Sequence, residues 1–226
     1  MPKPSPTDQH APPRPPRQDG EATRRRILLA AGQLFAERGY ADTTSKAICE
    51  LAPCNMAAVN YHFGSRENLY RALLQEMHKH LISYDQLEQL MRSEQDGRDK
   101  LALLIDALTL NVASGQRWQA RLWARELLAP SAFLAELIDQ EAMPKVRLVM
   151  GLLSEVTGIP LQAPALLRCL FSVMAPYLTL QVVSREIPTP LTDLFEQPTE
   201  DLARHLKLFA QAGLEAVARD YHAQAL

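Results

Sequence analysis

The sequence predicts an all-α protein of about nine helices, and three observations support that prediction. Nearly every apolar segment repeats at intervals of three to four residues, which is the spacing of one helix face. No alternation of apolar and polar residues, the pattern typical of a strand, lasts more than a few positions. Glycine and proline separate the periodic segments, as at Ser114-Gly115, Ala129-Pro130 and Gly158-Ile159-Pro160. The chain is therefore expected to form helical domains throughout.

The first helix is expected to carry Ile27, Ala31, Leu34 and Phe35 on its apolar face and to stop at Gly39. The fourth is expected to follow the N-cap Ser65 and to continue without a break. Pro144 and Pro176 should each kink or break the helix that contains them. The predicted helices cover residues 20–38, 44–52, 55–63, 65–91, 100–113, 116–128, 132–154, 165–183 and 199–223.

Residues 1–19 differ in composition from the rest of the chain. Seven of the sixteen prolines lie in the first sixteen residues, among polar and charged neighbours. Such a segment buries too little surface to offset its ordering entropy, so we expect a disordered tail. It has no apolar run that would make it a signal peptide. No run of about 18 uninterrupted apolar residues occurs, so no membrane span is expected and the predicted location is the cytoplasm.

The net charge of −2 conceals an asymmetry along the chain. Residues 1–66 carry nine Lys/Arg and six Asp/Glu, for a charge of +3, whereas the remainder carries −5. A basic N-terminal region on an acidic body is typical of a protein that presents one end to a polyanion.

The segment 40–69 contains two short predicted helices joined by a tight turn, the pattern of a helix-turn-helix. Met56, Val59 and Phe63 share one face of the second helix and should pack onto the first. The opposite face carries Ala57 and Tyr61, flanked by Ala58 and Asn60. An alanine methyl can contact a thymine methyl, and asparagine can pair bidentately with adenine. Tyr61 and His62 can donate to phosphates, as can the backbone N–H groups of the helix start at Asn55.

This segment resembles the TetR/AcrR family of transcriptional regulators. The resemblance rests on Phe35, Gly39, Tyr40, Thr43, Thr44, Ile48, the run Tyr61-His62-Phe63-Gly64-Ser65-Arg66-Glu67, and Leu69. It implies that the Thr-Thr pair opens the second helix and that Arg66 contacts the DNA backbone. The run from Ala124 to Val146 is similar, more weakly, to the CecR-like branch. The family usually has Gly-Val in the turn, where this chain has Pro53-Cys54, so the docking angle of the recognition helix is left open.

From the pattern and the resemblance together, the expected ligand of the N-terminal domain is a double-stranded DNA operator. The predicted DNA-contacting residues are Thr44, Lys46, Asn55, Ala57, Ala58, Asn60, Tyr61, His62 and Arg66.

Trp118, Leu122 and Arg125 share one face of the sixth predicted helix. An aromatic, an aliphatic and a cationic side chain would suit a small hydrophobic or amphipathic effector, so they form the predicted ligand site. The alternative is that Trp118 belongs to the core and that Arg125 pairs internally with Glu126 or Glu136.

The last two predicted helices are expected to form a homodimer seam. Apolar residues cover nearly the whole circumference of helix 165–183, including Phe171 and Val173, so it needs burial on more than one side. The helix 199–223 adds Phe209 and Val217, with Gly213 allowing close approach. Two such pairs would form a four-helix seam with twofold symmetry, matching a palindromic operator.

The sequence thus predicts a disordered tail (1–19), a helix-turn-helix domain (20–66) and a ligand-binding and dimerisation domain (67–226). The expected function is a ligand-responsive regulator, most simply a repressor. No nucleophile–base pair or paired carboxylates suggest an enzyme, and no cofactor or metal is expected, since His78 and His80 face different directions. The alternative is a helical small-molecule-binding or scaffold protein without a DNA role.

Overall fold

The computed structural model describes residues 16–114, 117–183 and 189–224. Those residues contain helices and connecting turns, and no strand. Most of the predicted tail lies outside the described residues, but helix α1 already begins at Pro16, four positions before the predicted start. A φ of 82° at Gly39 interrupts α1 where the sequence predicts its stop, and a last turn continues to Asp42.

The helices are α1 (Pro16–Asp42), α2 (Ser45–Leu51), α3 (Met56–Phe63), α4 (Arg66–Leu81), α5 (Tyr84–Arg92), α6 (Gly97–Ser114), α7 (Arg117–Leu128), α8 (Leu134–Leu137), α9 (Met143–Thr157), α10 (Pro164–Val182) and α11 (Thr199–Ala223). A π turn (Ile138–Ala142) joins α8 to α9, and a 3₁₀ turn (Thr192–Phe195) precedes α11.

The predicted continuous helix 65–91 is wrong, because the chain breaks at Ile82 and restarts as α5. Ser83 forms a capping box with Gln86: its Oγ accepts from the Gln86 N–H while the Gln86 side chain accepts from the Ser83 N–H. Ile82 is extended, at φ −165° and ψ 135°, and its side chain is buried. The cap therefore turns one long amphipathic pattern into two helices.

The two interior prolines behave differently. The π turn ends just before Pro144, which occupies the first turn of α9, where its missing N–H is tolerated. The break predicted near Pro144 thus takes the form of a π turn. Helix α10 runs through Pro176 without a break.

Two hydrophobic cores hold the chain together. The first joins α1, α2, α3 and α4 with α7 and α8, through residues such as Phe35, Tyr70 and Leu122. The second joins α5, α6, α9, α10 and α11, through residues such as Leu104 and Tyr177. Helix α4 leads from the first core to the second, because Leu69 lies in the first core and Leu81, its last residue, packs against the second.

Helix α10 is the one described helix that is long and apolar enough, by length and composition alone, to cross a membrane. A third (33%) of the tested window is buried inside the protein. Leu166, Val173 and Tyr177 face the second core, whereas Leu167 and Phe171 are exposed. A core helix of a soluble protein meets the same criterion, so this feature is weak evidence for a span.

Candidate DNA-binding surface and ligand cavity

Side-chain caps fix the start of both helices of the helix-turn-helix. The Thr44 Oγ1 accepts from the Ala47 N–H at 3.2 Å, and the Asn55 Oδ1 accepts from the Ala58 N–H at 2.9 Å. Each cap uses the side-chain oxygen as acceptor. The Thr44 hydroxyl and the Asn55 amide group can therefore still donate to a phosphate.

Helix α3 packs onto the first core through Val59 and Phe63, which are buried as predicted. Met56 packs only in part: its sulfur lies 3.7 Å from the Cys49 sulfur of α2, as the prediction requires, but the residue is 46% exposed at the edge of the helix pair. Met56 is the first residue of α3, where the helix has only just left the turn. The inward face is therefore shorter than the sequence pattern suggests.

The outward face of α3 carries the residues predicted to contact DNA. Ala57, Asn60 and Tyr61 are exposed, and the Tyr61 side chain reaches 84% exposure. Ala58 and His62 are half-buried at the sides of this face. Lys46 lies exposed on α2, 4.0 Å from Glu50. Most of these side chains are open to solvent, and their contacts with DNA stay a prediction.

The arginine cluster of α1 lies beside the end of α3. The Arg24 guanidinium sits 5.3 Å from the centre of the Phe63 ring, a cation–π contact, while Arg25 and Arg26 are exposed. Gly20 is close to His62 as well. The start of α1 thus adds positive charge next to the outward face of α3.

Arg66 is engaged within the protein. Its Nη1 donates to the carbonyl oxygens of Tyr40, at 3.0 Å, and Thr43, at 2.6 Å, and the guanidinium stacks 4.2 Å from the centre of the Tyr40 ring. Arg66 therefore holds the start of α4 against the last turn of α1 and against Thr43, which follows it. The phosphate contact that the resemblance implies for Arg66 stays a prediction.

The turn between α2 and α3 holds Pro53 at φ 21°, far from the value near −65° that the proline ring favours. Ala52 sits at φ −89° and ψ 11°, outside the α region, as expected for a residue before proline. This strained turn is where the family usually has Gly-Val.

The predicted ligand residues lie on the face of α7 that packs on α1, and none of them lines the cavity described below. Trp118 and Leu122 are buried in the first core. The Trp118 indole packs directly on Gly32, so a Cβ atom at position 32 would lie only 2.7 Å from the ring. The Arg125 Nη2 donates to the Glu37 carbonyl at 3.1 Å, at the end of α1. The ligand assignment is corrected accordingly: Arg125 caps α1, and its partner is a backbone carbonyl rather than an acidic side chain.

A cavity of about 620 Å³ lies instead at the C-terminal end of α4, within the size range of small-molecule sites. Its wall is almost entirely apolar, and its mouth includes the exposed side chains of Leu167 and Phe171 on α10. The lining residues come from α4, α5, α6, α7, α9 and α10, together with the end of the π turn. Trp123 of α7 lines it too, and its indole N–H has no hydrogen-bond partner among the described residues.

One buried cation reaches this cavity. The Lys145 amine donates to the Ile82 carbonyl at 2.7 Å and lies 2.9 Å from the Nδ1 of His78. Burial lowers the pKa of His78 to about 4, and the Lys145 charge acts in the same direction, so the ring is neutral and accepts this hydrogen bond. Burial also lowers the pKa of Lys145 to about 8, against the opposing effect of Glu141.

Sequence reasoning missed this site. From the sequence, His78 is considered only as a metal ligand and rejected, and Lys145 is not singled out. A lysine just after a helix-starting proline in an apolar run is nevertheless a usable signal. The sequence does not predict the partner of Lys145, because that partner, the carbonyl of Ile82 at the end of α4, lies 63 positions earlier in the chain.

The exposed apolar residues of α10 and α11 form two stripes, one on each helix. Leu167 and Phe171 are 60% and 73% exposed on α10, and Leu208 and Phe209 are 68% and 71% exposed on α11. Gly213 has open space in front of it. Val173, predicted for the seam, is a correction: it is 5% exposed and packs in the second core, on the face of α10 that turns inward.

Two family models match the chain in order. Residues 27–73 match the bacterial regulatory proteins of the TetR family, and residues 98–217 match the C-terminal domain of the HTH-type transcriptional dual regulator CecR. The second match alone spans more than half of the chain. The chain belongs to the TetR/AcrR family of DNA-binding transcriptional regulators, with a CecR-type C-terminal domain.

The matching curated relatives are similar over only part of the chain. The HTH-type transcriptional regulator TtgR of Pseudomonas putida is 34% identical over 80 residues, which are 35% of this chain and 37% of the relative. The match thus spans just over a third of that protein's length.

Solved structures show the same fold over most of the chain. A TetR-like regulator from Rhodococcus sp. RHA1 has a TM-score of 0.62 at 19% identity and covers 89% of this chain and 98% of its own. The regulator FadR from Bacillus subtilis, solved in complex with stearoyl-CoA, has a TM-score of 0.62 at 18% identity and covers 84% and 98%. At these identities the likeness establishes the fold alone.

Proposed function

We propose that this protein is a repressor that binds a palindromic operator and is released from it by a small hydrophobic or amphipathic effector. The observation that carries the proposal is the course of α4. Its first residue, Arg66, is fastened to the helix-turn-helix, and its last turn, with Met77, His78 and Leu81, lines the cavity. A molecule in the cavity touches the same helix that positions the DNA-binding pair.

The exposed face of α3, with the α1 arginines beside it, supports operator binding. Asn60→Ala should relax the base preference at one position of each half-site, at a cost of roughly 1–3 kcal/mol per contact. Tyr61→Ala should instead weaken binding to all sequences, since its proposed partner is a phosphate. Tyr84→Ala, a matched change on the distant α5, should leave binding intact.

The measurement is a gel shift at low and moderate salt, with the gene's own upstream region and a randomised pool. If purified protein retains no DNA in either set, the repressor proposal fails. That result would favour the rival function, a helical small-molecule-binding protein without a DNA role.

The two apolar stripes of α10 and α11 support a homodimer in which two copies bury these faces against each other. Leu208→Asp should give a monomer with an intact cavity, because Leu208 does not line it. The matched change Leu128→Asp, at an 87% exposed leucine of α7, should leave the dimer unchanged. Sedimentation or light scattering at micromolar concentration checks both, and a monomeric wild type would contradict the proposal.

The same family assignment leads us to propose a cytoplasmic protein that binds rather than catalyses. No cofactor or metal enters the proposed mechanism. The apolarity of α10 is assigned to the second core and to the dimer seam rather than to a membrane.

A further inference from the structure

Two side chains from other helices hold the C-terminal end of α4. The Asn111 Nδ2 of α6 donates to the Leu81 carbonyl at 2.9 Å. The Lys145 Nζ of α9 donates to the Ile82 carbonyl at 2.7 Å. The last carbonyls of a helix have no partner within the helix, so these two side chains act as its cap.

Of these two anchors, Lys145 lines the cavity and Asn111 does not. The other side chains in the lining that carry polar groups are His78, Arg168, Gln181 and Trp123, through its indole N–H. No aspartate or glutamate of the described residues lines the cavity. Arg168 is exposed on α10, whereas Lys145 is 5% exposed. The cavity is therefore an apolar space with a buried positive charge at one point of its wall, which favours an anion there.

We propose that the cavity takes an amphipathic anion whose apolar chain fills the space and whose head group draws Lys145 away from the end of α4. This inference rests on the proposed function of the cavity as the effector site. It adds the chemical class of the effector and the contact, between Lys145 and the end of α4, through which binding affects the helix.

The competition is chemically favourable for the ligand. A carboxylate or phosphate is a stronger acceptor for an ammonium group than the neutral Ile82 carbonyl or the His78 ring nitrogen. Once Lys145 turns to the anion, the Ile82 carbonyl loses its donor, and Asn111 is left as the side-chain anchor of the α4 end. The end of α4 then shifts its population of positions, and the helix-turn-helix at its start follows.

Proton linkage provides an independent readout of this contact. The groups around Lys145 are His78 and Lys79 on α4, Glu141 in the π turn and, across the cavity, Arg168. Burial holds the pKa of the Lys145 amine at about 8, so near that pH the free protein carries it partly protonated. An anion beside it raises this pKa, and binding should take up about half a proton at such a pH.

The test uses three probes with one chain and different heads: decanoate, decanol and decylamine. Binding is followed by tryptophan fluorescence, since Trp123 lines the cavity, and by calorimetry in buffers of different ionisation enthalpy. For the wild type, decanoate should bind at least about tenfold more tightly than decanol, with decylamine weakest and with proton uptake for decanoate alone. Decanoate should also release operator DNA, and decanol should not.

Three substitutions locate the head group. Lys145→Met keeps much of the bulk and should abolish both the preference for decanoate and the proton uptake. Lys79→Met, the same change at an exposed neighbour outside the cavity, should retain the preference for decanoate. Its proton uptake should be smaller but not abolished, because the Lys79 charge is one of the causes that lower the pKa of Lys145. Arg168→Met tests the other cation, and loss of the preference there with retention in Lys145→Met would overturn the assignment to Lys145. If Lys145→Met does not fold, the wild-type head-group series and the Arg168→Met result still decide.

The outcomes separate this inference from the proposed function. Equal binding of decanoate and decanol, or no binding of any probe, overturns the inference. If decanoate and decanol release operator DNA equally, the proposed effector-controlled repression is supported, but the proposal that Lys145 detects the head group is overturned. If decanoate binds in a Lys145-dependent way while operator occupancy does not change, the coupling to α4 is overturned together with the proposed regulation by this cavity.

Discussion

The two ends of α4 are built in opposite ways. At the start, Arg66 bonds two carbonyls of the preceding segment, and Leu69, Tyr70 and Leu73 are buried in the first core. At the end, the helix lines an apolar cavity, and side chains from other helices cap its last carbonyls. The start is anchored to the first core on its inner face, whereas the end leaves room for a second molecule.

This difference teaches where a ligand can act. A close-packed region has few alternative arrangements, so it transmits a displacement as a rigid body. The cavity end has polar contacts that a ligand can replace, so it can have two arrangements of similar free energy. A regulator needs both: a rigid connection to the DNA-binding helices and a replaceable contact at the effector.

The largest expected effect comes from breaking the rigid end. The Tyr70 hydroxyl donates to the Glu126 Oε1 at 2.5 Å, and the Ser131 N–H and hydroxyl donate to the other oxygen. Glu126 is 1% exposed, so Glu126→Ala leaves the buried Tyr70 hydroxyl and the half-buried Ser131 donors without this acceptor. We expect the free energy of unfolding to fall by about 4 kcal/mol, measured by urea denaturation.

The matched control is Glu136→Ala. It also removes a carboxylate that pairs with a residue of α4, but the pair, Arg71 with Glu136 of α8, is exposed. A surface ion pair contributes at most about 1 kcal/mol, so this variant should be nearly as stable as the wild type. Equal losses from the two substitutions would show that the start of α4 is not held by its buried network.

At the cavity end, the expected effect depends on pH. The pKa of His78 in the folded protein is about 4, below its ordinary value of 6.5, because burial and the Lys145 charge oppose protonation. The unfolded chain therefore binds a proton between these values while the folded protein does not. Stability is complete above pH 6.5 and is lost as the pH falls towards 4, by at most about 3 kcal/mol.

Denaturation of the wild type and of His78→Gln across this range checks the prediction. Glutamine can still accept a hydrogen bond from Lys145 but does not titrate. The variant should lose less stability than the wild type between pH 6.5 and 4. Parallel curves would mean that His78 is accessible to protons and that the α4 end is more open than its packing implies.

The sequence predicts the local features well and the partners poorly. Helical periodicity, the helix starts at Thr44 and Asn55 and the cap Ser65 are read within a few residues, because the interactions that form them are local. The face of α7 with Trp118 and Arg125 was also read correctly as a face. The helix that packs against it could not be read, since α1 and α7 are distant in sequence, and an aromatic–aliphatic–cation face suits a packed helix as well as a ligand. The role of Lys145 could not be predicted for the same reason, because its acceptor lies at the end of another helix that is distant in sequence.

The smallest expected effect concerns an exception within the rigid region, the strained turn before α3. Pro53 takes a φ of 21°, which glycine adopts freely and proline resists. Pro53→Gly removes this strain but also increases the entropy of the unfolded chain, an opposing effect of up to about 1 kcal/mol. Because strain of this kind costs roughly 1–3 kcal/mol, the net result should be a gain of about 1 kcal/mol in the free energy of unfolding.

Pro130→Gly, in an exposed loop where φ is not positive, should lose stability instead. Thermal unfolding of both variants gives the comparison, and a loss at both sites would show that Pro53 fits its turn and that the rigid region carries no strain beside its recognition helix.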